Sequence, residues 1–325
     1  MTSLPAAARR FALGTFAHPS TGGAFAGLVV GGRVLPLPDG GPLEGPVTVR
    51  RLLERWEETL PRLAALAETA GDSGRLDPAD LRVLPPVTPH HIIQAGANYR
   101  AHLLEMATAQ ARAAGGDDAT AQAAAQEQLK AFSEGRPFLF IGLPSAMCGP
   151  HDDILLPEGT SRPDWEAELA VVIGRPARHV TPEQAMDHVA GYTVCNDISA
   201  RDWQFPPEHR ALGGDWLRAK NQPTFLPTGP FIVPALFVPD PSRLRLTLKL
   251  NGRTMQDDTA ADMIFDVARL VAEASASVRL LPGDLVLTGS PKGNGGHWNR
   301  FLRAGDVLEA AIEGIGAQRN RCVPA

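Results

Sequence analysis

The segment Asp164-Trp165-Glu166-Ala167-Glu168-Leu169-Ala170-Val171-Val172-Ile173-Gly174 decides how this chain folds. A β-branched, apolar run closed by glycine reads as a strand, with successive side chains on opposite faces. The alternation puts Asp164, Glu166, Glu168, Ala170 and Val172 on one face, and Trp165, Leu169, Val171 and Ile173 on the other. Carboxylates that share a face at the head of a mostly buried strand repel one another and lose their hydration. Two arrangements relieve that cost. One is the solvated end of an edge strand. The other is a bound divalent cation, because hard cations such as Mg²⁺ take oxygen ligands. Asp164, at the head of the segment, is expected behind the ligand-forming residues or in solvent.

The rest of the chain sets bounds on what such a strand could serve. At 325 residues the chain can bury a large core in one domain or two. Its 44% hydrophobic and 21% charged residues are those of an ordinary globular protein, and its 32 glycines and 29 prolines suit short strands joined by tight turns. A net charge of −5 without a basic cluster gives no case for nucleic acid as a partner. The three cysteines, Cys148, Cys195 and Cys322, lie far apart without a CxxC, so they read as small buried hydrophobes in a reducing compartment. Met1 to Phe16 lacks an unbroken apolar core, so no signal peptide is expected, and no stretch is apolar enough to span a membrane. A cytoplasmic protein is the expectation.

Residues 1–85 read as a small α+β domain without chemistry. They hold short strands around Gly-rich turns and a helical span from Thr48 to Ala70, in which Pro61 predicts a kink or a pair of short helices. The Pro-rich run Leu84 to Pro89 marks the boundary, and residues 90–325 form the second domain. There Ile92 to Gly96 is a short strand leading into a segment with His102 and Glu105. Three apart, these two share a face if the segment is helical, where the carboxylate could orient the imidazole as a base. The Ala- and Gln-rich residues 107–134 predict a loosely packed helical insert, either a lid or an inert excursion. Ala190 to Asp197 is a second strand ending in a carboxylate, and the next turn is expected to gather Asp197, Arg201 and Gln204 on one side. Arg243 to Leu250 alternates, and Asn251-Gly252 is its hairpin turn. A helix follows within 261–279, then strands introduced by Pro282-Gly283-Asp284 and Ala304-Gly305-Asp306. Gly289 to Gly296 lacks the phosphate-loop spacing and is expected to close a strand without a following helix.

Four of these stretches occur together in one order. They are Gly96-Ala97-Asn98-Tyr99 with His102 and Glu105; Asp164 to Gly174; Gly191-Tyr192-Thr193 with Asn196-Asp197-Ile198-Ser199-Ala200-Arg201-Asp202 and Gln204; and Pro282-Gly283-Asp284 with Thr288-Gly289-Ser290-Pro291. Taken together they resemble the fumarylacetoacetate hydrolase family, specifically its acylpyruvate-hydrolase-like branch, over about residues 90–323. The resemblance implies an α+β, β-rich fold with a mixed β-roll core, a homodimer, and one Mg²⁺ (or Mn²⁺ or Ca²⁺) held by Glu166, Glu168 and Asp197. It makes His102 and Glu105 a water-activating dyad, and turns Lys220 and Gln204 toward the reacting oxygens of the substrate. Thr288, Gly289 and Tyr99 are then substrate-binding residues. Arg201 either contacts substrate or pairs with a neighbouring carboxylate. Two departures bear on the substrate: Ala97 stands where many relatives carry a basic residue, and the insert and Gly296 to Arg300 are unusual. Arg300 or Lys292 could replace the missing charge, whereas His297 and Trp298 read equally well as loop packing.

A 2-oxo acid suits a divalent cation with open positions, because its carboxylate and keto oxygen chelate and its enolate is stabilised. The leading expectation is hydrolysis of a C–C bond in an acylpyruvate or related 2,4-dioxo acid. The alternatives are oxaloacetate decarboxylation or tautomerisation of a 2-oxo acid on the same site, and a metal-stabilised binding protein without turnover.

Overall fold

Ala167–Ile173 is a strand whose seven residues are all buried. It lies inside a six-stranded sheet ordered Val233–Pro234, Val189–Asn196, Ala167–Ile173, Leu285–Leu287, Ile92–Gly96 and Phe138–Gly142. Only the pair Leu285–Leu287 and Ile92–Gly96 runs parallel. The strand has partners on both sides and so is no edge strand, which removes the solvated-end arrangement. These coordinates are a computed structural model, which describes residues 9–325 apart from 21, 42, 43, 72, 114 and 116. The reading of the N-terminus as free of a signal peptide rests partly on residues 1–8, outside the described residues.

The period-2 pattern holds along the strand, and both of its faces are covered. Trp165, Ala167, Leu169, Val171 and Ile173 enter one core with Leu246, Leu248 and Leu308. Those leucines belong to a second sheet of five strands, ordered Arg253–Thr259, Arg245–Leu250, Val307–Ile312, Gly316–Pro324 and Ile154–Leu156. Its hairpin turns at Asn251 and Gly252, both at positive φ (52° and 80°), as a right-twisted two-residue turn requires. Ala170 and Val172 face the other way, into a core shared with Leu13, Leu28, Leu52 and Leu53 of the N-terminal unit. The α+β, β-rich class expected from the sequence is the one observed.

The N-terminal unit has its own sheet, ordered Arg33–Pro36, Ala24–Val30, Phe11–Ala17 and Arg82–Leu84, with helices Val49–Glu54 and Trp56–Thr69. The helical break falls at Arg55, and the second helix runs through Pro61. The hydroxyl of Thr59 explains the position: it donates to the Leu52 carbonyl at 2.7 Å, which the break leaves without its helical partner. Backbone bonds in both directions between Leu13 and Ile232 tie this unit to the larger sheet.

Two helices packed on each other, Arg100–Ala113 and Asp118–Glu134, form the roof of the cavity described below. Asp117 caps the second by accepting from Thr120 N at 2.8 Å. The loop after Leu285–Leu287 differs from expectation in one respect: a one-turn helix, Gly295–Trp298, follows it. At four residues it is too short for a phosphate site. Among the described residues no helix is long and apolar enough to cross a membrane. All three cysteines are free and buried.

Candidate active site

Backbone pairing brings the acids together. Glu166 stands one residue before the central strand; its N–H donates to Asn196 Oδ1 (2.9 Å), and its carbonyl accepts from Asp197 N (2.9 Å). Because Ala167 is opposite Asn196 in the antiparallel register, Asp197 must lie against the start of the strand. Glu168, two residues on, comes to the same side. Carboxylate oxygens of Glu166, Glu168 and Asp197 all lie within 4.8 Å of one another, and all three residues are buried. Asp197 does not share a helical turn with Arg201, contrary to the sequence expectation. Ser199–Ala200 pairs with Pro163–Asp164 as a short bridge, so the helix Arg201–Gln204 starts later.

Cations partly balance this cluster. Lys220 is 3% exposed, and its Nζ lies 2.6 Å from Glu166 Oε2 and 2.5 Å from Asp197 Oδ2. Arg201 donates from Nε to Asp164 (2.8 Å) and from Nη2 to Glu166 Oε1 (2.5 Å). Asp164 is therefore neither exposed nor ligand-forming: 1% exposed, it anchors Arg201 and accepts from Gly295 N at 2.5 Å. Four buried carboxyls against these two cations give the cluster a formal charge of −2, since four acids less two cations leave two.

The titration behaviour follows from that imbalance. Burial pushes Glu166 up, but Arg201 and Lys220 outweigh it and hold the carboxyl below its usual range. Glu168 has no cation of its own. Burial, then Asp197 and Glu166, push it well above the usual range, against which Gly289 N offers one hydrogen bond at 2.8 Å. Asp197 is pushed up to about 6 by burial and by Glu166, while Lys220 and Gln94 hold it down. Its Oδ1 is buried without a partner. An orphaned carboxylate oxygen, a triad of hard oxygen donors and a residual charge of two fit a divalent cation, which Glu166, Glu168 and Asp197 could hold.

A cavity of about 1510 Å³ opens above the acids. Its lining includes His102, Gln204, Lys292 and Lys220, with Phe140 and Trp216 on one wall, and the two roof helices face it from above. His102 is buried, and burial drives its imidazole down to about 4, so it is neutral near pH 7. Its Nδ1 has no hydrogen-bond partner.

Residues 91–323 match the fumarylacetoacetate (FAA) hydrolase C-terminal family. The chain belongs to the fumarylacetoacetate hydrolase family. Among curated relatives, a mitochondrial oxaloacetate tautomerase of Xenopus laevis is 37% identical over 86% of this chain and 79% of its own length. Among solved structures, the 2-hydroxyhepta-2,4-diene-1,7-dioate isomerase of Mycobacterium marinum superposes with a TM-score of 0.68 at 29% identity, covering 97% and 98% of the two chains. The maleylpyruvate hydrolase of Sphingobium sp. SYK-6, solved with manganese(II) and pyruvate, reaches a TM-score of 0.72 at 25% identity over 97% and 99%.

Against the residue roles that family resemblance implies, the structure brings together Glu166, Glu168, Asp197, Lys220, Arg201, Gln204 and His102. Four others are placed differently. Glu105 does not meet His102: its Oε1 pairs with His297 Nδ1 at 2.7 Å, one turn further along the helix. Burial pushes the Glu105 carboxyl up, and His297 supplies the donor that offsets it. Thr288 donates to the Leu169 carbonyl at 3.0 Å, and Gly289 N–H is already on Glu168, so both brace the cluster from behind. Tyr99 is fully buried beside Thr288 rather than at the cavity surface. Arg300 is bound to Asp306 through two 2.7 Å contacts and lies outside the cavity lining, whereas Lys292 is part of it. The sequence reading missed Gln94 and Asn294, which contact Asp197 and Glu166. Gln94 carried a signal, being a lone polar residue in the apolar strand Ile92–Gly96. Asn294 carried none.

Proposed function

We propose that this protein is a divalent-cation-dependent enzyme that interconverts the keto and enol forms of a small 2-oxo acid of the oxaloacetate type. The observation that carries this reading is a neutral, unpartnered imidazole, His102, facing the same cavity as Glu166 and Glu168, which form an acid triad with Asp197. Held by the triad, Mg²⁺ or Mn²⁺ would supply Lewis acidity toward the oxygens of a 2-oxo acid. His102 is the group that takes the proton from the carbon beside the keto group and gives it up again to the keto oxygen as the enol forms, which returns the imidazole to its neutral state. Lys220 is kept protonated by Asp197 and Glu166, which outweigh the opposing effect of burial, and it places a fixed positive charge beside the oxygen on which negative charge develops. Gln204 offers a buried amide on the same wall. The tautomerase relative named above supports this reading. So does the position of Glu105, which leaves His102 without the carboxylate partner a water-activating dyad uses.

The test is the ultraviolet change of oxaloacetate enol–keto interconversion with Mg²⁺ or Mn²⁺, with EDTA, and with His102→Gln. Cation-dependent acceleration that falls sharply in the variant is expected; no acceleration of any 2-oxo acid by the wild-type protein would sink the reading.

Hydrolysis of an acylpyruvate is the second reading, favoured by a cavity of about 1510 Å³, far roomier than a four-carbon acid needs. Recovery of a second carboxylic acid beside pyruvate separates it from tautomerisation, and release of carbon dioxide marks decarboxylation. We also propose a homodimer. The edge strand Phe138–Gly142 supports it by exposing Phe138 and Ile141, and light scattering reads the mass.

A further inference from the structure

We propose that His297 is a positioning residue for the base: through Glu105 it docks the helix Arg100–Ala113 and thereby fixes His102 over the acid cluster. The inference rests on the reading of His102 as the proton-transfer group.

No hydrogen bond to Nδ1 orients the imidazole of His102, so its place depends on where its helix sits. The helix start is anchored before His102: Ala101 N donates to Asp262 Oδ2 at 2.9 Å, and Arg100 Nη1 donates to the Met263 carbonyl at 2.5 Å. Beyond His102 the anchoring is sparse. Arg112 pairs with Asp118, which belongs to the other roof helix and moves with it. Among the described residues from Leu103 to Arg112, Glu105 alone forms a side-chain hydrogen bond or ion pair to a residue outside the roof helices, at 2.7 Å to His297.

His297 in turn stands on a braced loop. Gly295 N donates to Asp164 Oδ1 (2.5 Å), and Asn294 Nδ2 donates to Glu166 Oε1 (3.3 Å). Trp298 Nε1 donates to the carbonyls of Met255 (3.1 Å) and Gly293 (3.0 Å). A continuous set of contacts therefore runs from the acids, through the loop and His297, to Glu105 and back one turn to His102. Trp298 is the packing residue of this pair of aromatics; His297 is the tie. A base displaced by an ångström loses proton-transfer efficiency without losing substrate affinity, because substrate is held by the cluster below.

The experiment compares His297→Ala, His297→Asn and Glu105→Gln in the cation-loaded protein, with 2-oxo acid enolisation and amide hydrogen exchange as readouts. In His297→Ala, kcat is expected to fall about tenfold or more at nearly constant KM. Asparagine carries a donor nitrogen where Nδ1 stands and should recover most of the loss. His297→Ala combined with Glu105→Gln should cost no more than the worse single change, because the two act as one tie. Exchange across Arg100–Ala113 should quicken in His297→Ala and return toward wild type in His297→Asn. A kcat within twofold of wild type in His297→Ala, an asparagine variant as impaired as alanine, or unchanged exchange would overturn the tie. If the wild-type protein turns over no 2-oxo acid, the proposed function fails while hydrogen exchange still decides the docking.

Discussion

The floor and the roof of the cavity are built on opposite principles. The floor acids hang from strands: Glu166 and Asp197 share backbone bonds, Glu168 takes an amide from Gly289, and the strand beneath is buried on both faces. The roof base hangs from a helix whose side facing the body carries, among the described residues, one polar tie past its first turn. Sheet-borne groups keep their geometry because moving them breaks a ladder. Helix-borne groups move with the helix. The difference bears on the chemistry: the cation ligands are fixed by the strand ladder, whereas the base keeps its place through the Glu105–His297 tie.

Three perturbations separate the regions, beginning with the largest. Glu168→Gln keeps the acceptor for Gly289 N but removes a ligand charge. Calorimetry should show loss of Mg²⁺ and Mn²⁺ binding, with turnover down by about 10³-fold or more. The same change removes a carboxyl whose ionisation burial, Asp197 and Glu166 all oppose, so in EDTA the variant should melt higher than wild type; a lower melting temperature would mean that the floor is not electrostatically strained. Next, Lys220→Met leaves Glu166 and Asp197 buried beside each other without their ammonium. It should destabilise the cation-free protein by about 3–5 kcal/mol in urea titration, and added Mn²⁺ should recover part of that loss.

The smallest effect belongs to the roof. His102→Gln should lower turnover about 10²-fold and leave cation affinity within a few-fold of wild type. Its pH signature has a definite sign. The folded imidazole sits near 4 against 6.5 in the unfolded chain, so between those values the unfolded state binds the additional proton. Stability therefore falls as pH drops from 6.5 toward 4, and His102→Gln should flatten that slope when cation-loaded proteins are compared. Identical slopes would place His102 in contact with water.

Much of the floor was legible in the chain itself. Period 2 and β-branching announced the strand, and Glu166 and Glu168 had to share a face. Asp197 closed the next strand, and Asn251-Gly252 named its own turn. The structure differs from the sequence reading where a residue's partner lies far along the chain. Local spacing offered Glu105 to His102, three residues away, yet the carboxylate found His297, which no helical periodicity could indicate. The family resemblance implied that Thr288 and Gly289 contact substrate. The fold had already given their hydroxyl and amide to Leu169 and Glu168. Pro61 was read as the helix break, but a buried hydroxyl from Thr59 moved it to Arg55.

The amino-acid order by itself determined the family, the strand that carries two acids and the third acid at a neighbouring strand's end. These depend on side-chain alternation and on motifs contiguous in the chain. Only the tertiary structure decided that the strand is central rather than at an edge, that Lys220 and Arg201 leave two charges unbalanced, and that Glu105 serves the roof. Those outcomes turn on burial and on pairings between distant segments, because the cost of a charge is set by its surroundings and not by its neighbours in sequence.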